Sequence, residues 1–199
     1  MPSLETRLRP LLRAVGYFGA DATRARTVSA LFKSCALQAA HPNWAKRSGI
    51  DTKAFRPRHA LVFAHVWLVH RAFETVGAST KRARGLLQEE LFDELWEDTQ
   101  ERIRVEGVAE ISVNKHLTDV QKYSFQAALE YDDASARTGA DRRDALGAAV
   151  WRHVYLAKED AEEDKCLAVA DYLLARLDSN ILAGQPDKVG WRGAPLSKG

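Results

Sequence analysis

Residues 58–76 restrict most strongly what this chain can become. On a helix, Leu61, Val62, Phe63, Val66, Trp67, Leu68, Val69 and Phe73 leave almost no polar face. A helix that is apolar all round is stable only when other elements enclose it, so this segment predicts a central helix with neighbours on every side. The bilayer is a poor enclosure, because the apolar run 60–69 is broken by His65 and falls far short of the ~20 residues a span requires. Pro57 suits the first turn, where a missing N–H leaves no helical bond unmade. The shell must therefore come from the chain itself. Its 199 residues can bury roughly 70% of the extended surface without help from a metal or a disulfide.

The remaining periodicity is close to 3.6, with no convincing alternation at period 2, so the fold class is all-α. Seven helices are expected, at about 4–15, 22–40, 58–76, 79–106, 112–132, 143–157 and 162–183. Asp21, Ser79 and Ser112 are the candidate N-caps, and Gly77, Gly107 and Gly184 the candidate stops. The fourth helix would be roughly 40 Å long. Residues 43–56 and 134–141 read as loops. The division expected is an amphipathic basic helix over 1–15, a helical body over 16–184 and an irregular tail over 185–199. Trp191 in that tail is expected to tuck against the body.

A net charge of +2 hides an asymmetry. Residues 1–60 hold 11 Lys and Arg against 3 Asp and Glu, a net of +8, whereas residues 61–199 hold 18 against 24, a net of −6. Arg7, Arg9, Arg13, Arg24, Arg26 and Lys33 are the candidate contacts to an anionic surface, either RNA or lipid, and the plain alternative is a solvated basic face. Arginines and Leu4, Leu8, Leu11, Leu12 and Val15 would also suit a mitochondrial targeting helix, although a first domain helix is the reading preferred here. Cys35 and Cys166 sit among Ala and Leu and read as small buried hydrophobes.

Catalytic signatures are missing. No Glu-x-x-His supports a di-iron bundle, and no His-Glu-x-x-His supports a zinc hydrolase. Glycine-rich phosphate or dinucleotide loops and the Gly-x-Ser-x-Gly elbow do not occur either. The acids of 89–98 fall between apolar positions, on the outward face. His65 and His70 read as core histidines. A protein that binds, without enzymatic activity and without a cofactor or metal, is the expectation.

One ordered set of residues remains. Trp96, Asp98, Arg102, Arg104, Gly107 and Val108 are followed by Ser112, Val113 and Lys115, then Tyr131 and Asp132, then Trp151 and Arg152, with His65 and Trp67 upstream. This order resembles the ubiquinol–cytochrome c reductase chaperone family, assembly factors for respiratory complex III, from about residue 16 to 191. The resemblance implies an all-helical, non-enzymatic chaperone that pairs with a small partner protein near the mitochondrial ribosome. It would hold newly made cytochrome b until haem insertion, in the mitochondrial matrix or peripherally on the matrix face of the inner membrane. DNA is not an expected partner. Trp67, Trp96, Asp98, Arg102, Arg104, Phe125, Tyr131 and Trp151 become the candidate client or partner contacts, with core packing the alternative for the tryptophans. Where the family often carries Phe-Tyr, this chain has Ser124-Phe125. The rival reading is a helical RNA- or ribosome-binding module without a client.

Overall fold

The computed structural model describes residues 19–75, 81–179, 181–182, 189–191 and 193–196. Its helices are α1 (Ala20–Ala39), α2 (Asn43–Ser48), α3 (Phe55–Thr75), α4 (Lys81–Val105), α5 (Glu110–Ala136), α6 (Gly139–His153) and α7 (Glu163–Leu177). No strand occurs among the described residues. The expected helix 4–15, the Gly77 stop, the Ser79 cap and the Gly184 stop lie outside them.

Helix α3 is central, as its sequence requires. Fourteen of its 21 residues are buried, and it packs on α1, α4, α5 and α7. Pro57 lies in its first turn, where the helix has no acceptor for that N–H in any case. Around this axis α1 lies against α4, α4 against α5, α5 against α6 and α6 against α7.

The structure corrects several expectations. Residues 43–56 are not all loop, because α2 forms within them around Trp44, which is fully buried and donates its indole N–H to the Gln38 carbonyl at 2.9 Å. Gly49 closes α2 in the left-handed region at φ 69, and the amides of Gly49 and Ile50 turn back to Ala45 and Trp44. Helix α1 starts after Gly19, so Asp21 sits in its first turn rather than at the cap. Ala109, not Ser112, precedes α5. The expected connector 134–141 shrinks to Arg137 and Thr138, with Arg137 pairing Asp133 at 2.7 Å and Asp141 at 3.2 Å across the junction. The last helix ends at Leu177 because Ile181 and Leu182 fold back into the core, while Arg142 holds Asp178 at the turn. Trp191 does tuck in, donating to Ser34 Oγ at 2.8 Å with its ring edge-on to His65.

Two glycines separate backbone strain from helix propensity. Gly49→Ala places a Cβ on a residue at φ 69 and should cost about 1 kcal/mol. Gly85→Ala lies inside exposed α4 with no atom within 4 Å of the new methyl, and should add about 0.5–1 kcal/mol. Urea unfolding midpoints should move in opposite directions.

Candidate functional site

Helices α4 and α5 form a long antiparallel pair. Gly107, at φ 83, reverses the chain between them, and Arg104 Nε and Nη2 grip the Glu110 carboxylate at 2.9 Å each. Residues four apart share a helix face. On α4 that brings Phe92 and Trp96 together, with ring centroids 6.0 Å apart and planes 18° from parallel. Phe125 of α5 leans onto both, 6.0 Å from Phe92 and 5.7 Å from Trp96. Leu129, four residues on, borders the α5–α6 side with Glu130, Asp133, Ala145 and Ala148. Phe125 is 48% exposed and Leu129 71%. The result is an aromatic strip along the α4–α5 seam in which Phe92 and Trp96 are half-buried against the core and Phe125 is the exposed ring.

A buried polar knot fixes the floor of this strip. His59 of α3, beside Trp96, lies 2.8 Å by Nε2 from Ser124 Oγ on α5, and Ser124 in turn donates to the Val120 carbonyl. With Ser124 spending its proton there, His59 Nε2 is the donor and Nδ1 the acceptor from Arg102 Nη2 at 3.4 Å; the Thr99 hydroxyl beside it donates to the Leu95 carbonyl at 2.7 Å. Burial, then the Arg102 charge, press His59 down to about 3, so it is neutral at physiological pH. The Arg102 side chain is only 13% exposed and binds Asp98, one helical turn before it, by Nε at 2.6 Å. Burial lowers Arg102 below its ordinary value, and Asp98 pulls it back. Its Nη1 is buried without a partner among the described residues. Three helices are thus tied at one level by His59, Thr99, Arg102 and Ser124.

Toward the α4–α5 turn lies a cavity of about 320 Å³ whose apolar lining, Phe55, Ile103, Val108, Val120 and Tyr123, is interleaved with Arg56, His59, Glu106, His116 and Asp119. The arrangement offers apolar surface with fixed shape, and it is suited to binding. Among the described residues, no group of three His, Cys, Asp or Glu is placed to hold a metal. None of the described helices is long and apolar enough to cross a membrane.

The family model for ubiquinol-cytochrome C chaperones matches residues 51–189, which takes in α3 to α7 and both helices of the strip. The chain belongs to this family. The crystal structure of the Cbp3 homolog from Brucella abortus shares its fold, with a TM-score of 0.69 and 17% identity over 91% of this chain and 99% of that one. A search of curated proteins found no match.

The chaperone distributes its signature residues unevenly. Trp96 and Phe125 meet in the strip, and Asp98 and Arg102 lie in the knot beneath. Trp67 is a core residue, donating to Asp132 at 2.9 Å and lying edge-on to the fully buried Tyr131. Trp151 sits apart on α6, where its indole donates to the Lys158 carbonyl. Beside it, Arg152 pairs Glu130 at 2.7 Å. Arg104 serves the α4–α5 turn. Phe92 and Leu129 are contact candidates that the sequence reading did not single out; the signal was their four-residue spacing from Trp96 and Phe125.

Three of the six basic candidates fall within the described residues, all on α1. Arg7, Arg9 and Arg13 lie outside the described residues. Arg24 is committed to Glu90 at 2.6 Å and to Asp21 at 3.0 Å. Arg26 bonds Thr23, and Lys33 is exposed midway along α1. Cys35 and Cys166 are both free and buried.

Proposed function

We propose that this chaperone acts in complex III assembly by holding newly made cytochrome b, together with a small partner protein. The observation that carries the reading is the partly open aromatic strip of Phe92, Trp96 and the exposed Phe125, set within the segment that matches the family model. Transmembrane segments expose apolar helix faces that aggregate in water, and a rigid apolar groove between two helices is a known way to cover such a face. The knot beneath keeps the strip's shape when no client is bound. That preorganisation lowers the ordering cost of capture.

The chaperone would work where cytochrome b is synthesised, near the mitochondrial ribosome at the matrix face of the inner membrane, with any membrane contact peripheral. Cells lacking it should lose mature cytochrome b and complex III while the other respiratory complexes persist. Normal complex III in such cells refutes the proposal. Affinity purification from cells expressing the tagged chain should recover cytochrome b with a small helical protein, retained in high salt. Recovery of ribosomal RNA and ribosomal proteins alone, lost as salt rises, would instead favour the RNA-binding module.

A further inference from the structure

Resting on the client-binding reading, we infer that the α4–α5 groove is selective for an amphipathic helix of a second polypeptide that carries a row of Lys or Arg along one flank. The groove's two walls differ in charge. On α4, Glu89, Asp93 and Glu97 are all exposed and follow one another at four-residue intervals. They form a carboxylate ridge roughly 12 Å long immediately outside Phe92 and Trp96. Among the described residues none of the three makes an ion pair, whereas the neighbouring Glu90 is held by Arg24. Glu94, between them, has its carboxyl raised by burial and then by the Glu97 charge, against the pull of Lys33. On α5, the exposed polar residues beside Phe125 and Leu129 are Lys122, Gln126 and Asp133, and Asp133 is neutralised by Arg137 at 2.7 Å, so this wall carries no unpaired acid of its own.

Such a groove does two things at once. Its floor takes an apolar helix face, with Phe125 as the anchor. Its acidic wall favours one orientation of that helix, because only the flank beside α4 gains from positive charge, and acidic flanks are repelled. The same ridge disfavours RNA and anionic lipid at this face, since phosphates would meet unpaired carboxylates. Charge complementarity therefore chooses the occupant.

The test uses the full chain and two fluorescein-labelled 14-residue peptides. Both carry Leu at the spacings of one helical face; one has Lys on the flank and the other Glu at the same positions. Anisotropy titrations at moderate salt should show the Lys peptide binding at least tenfold more tightly than the Glu peptide. The triple variant Glu89→Lys, Asp93→Lys, Glu97→Lys alters only exposed side chains and should reverse that preference. A control, Glu159→Lys with Asp160→Lys, changes charge at the α6–α7 connection and should leave it intact.

Unchanged preference in the triple variant, or reversal by the control, overturns the inference. Binding seen only after removal of residues 1–18 assigns the groove to this chain's own amino-terminal segment. A dimer that the triple variant dissociates assigns it to a second copy. Either result also overturns the inference. The outcome is separable from the function itself, which stands or falls on complex III in cells lacking the chain.

Discussion

Between pH 6.5 and pH 4 the chaperone is expected to lose stability steeply, because two core histidines stay unprotonated in the fold. His59 is held down to about 3 by burial and by Arg102. His65 is held down to about 4, chiefly by burial, although its bond to the Leu61 carbonyl opposes the shift. In the unfolded chain both titrate near ~6.5. Over this window the unfolded state binds more protons, so stability is complete above pH ~6.5 and falls as pH drops toward the folded values. At about 1.4 kcal/mol per pH unit and group, the pair should remove roughly 4 kcal/mol by pH 5. His70 and His153 are also lowered by burial and act in the same direction. Urea unfolding at pH 7 and pH 5 measures the loss. His65→Gln should be less stable at pH 7, yet show a shallower dependence on pH. Equal midpoints for the parent chain at the two pH values would show that these histidines do not govern its acid response.

The second large effect is expected at Trp44. Its indole is fully buried, bonds the Gln38 carbonyl, and meets Tyr172 and His65 edge-on at 5.0 and 5.8 Å. Those two residues bond each other at 2.9 Å, with Gln38 also reaching the tyrosine hydroxyl. Trp44→Ala therefore opens a cavity where α1, α2, α3 and α7 converge and removes the indole bond to the Gln38 carbonyl, which keeps only the longer bond from the His41 amide at 3.3 Å. A loss of about 3–5 kcal/mol is expected, or a fall of roughly 10–15 °C in Tm. Trp151→Ala, at a more exposed indole on α6, should shift Tm far less. Thermal unfolding of the two variants side by side makes the comparison, and similar shifts would refute the central role given to α2.

The same residues show what was legible before any coordinates. The apolar circumference of 58–76 could only be a buried axis, and α3 is one. The Asp98 and Arg102 spacing placed both on one helical face, where they pair. By contrast, six residues around Trp44 carry too little pattern to be distinguished from a loop. Their helix exists because a large ring had a cavity to fill and Gly49 could close the turn. Likewise the polar run 134–141 looked like a solvated connector, whereas Ala134 is buried in the core and Arg142 bonds the Ser135 carbonyl and Asp178 across the tight junction.

The site divides along the same line. The sequence by itself determined an all-helical body around α3, the family to which the chain belongs, and the helix faces on which Trp96 and Phe125 stand. These follow from periodicity and residue order, which are local properties of the chain. Which tryptophan packs inside and which faces solvent was decided only by the tertiary structure. Trp67 lies in an all-round apolar run and Trp96 among Asp and Glu, yet each stands on an apolar helical stripe; α3 is packed on by four helices, whereas no described helix covers the α4–α5 seam. Tertiary structure also joined His59, Thr99, Arg102 and Ser124, up to 65 residues apart, into one buried knot. Burial and pairing depend on which helices meet, and no spacing within a single helix encodes that.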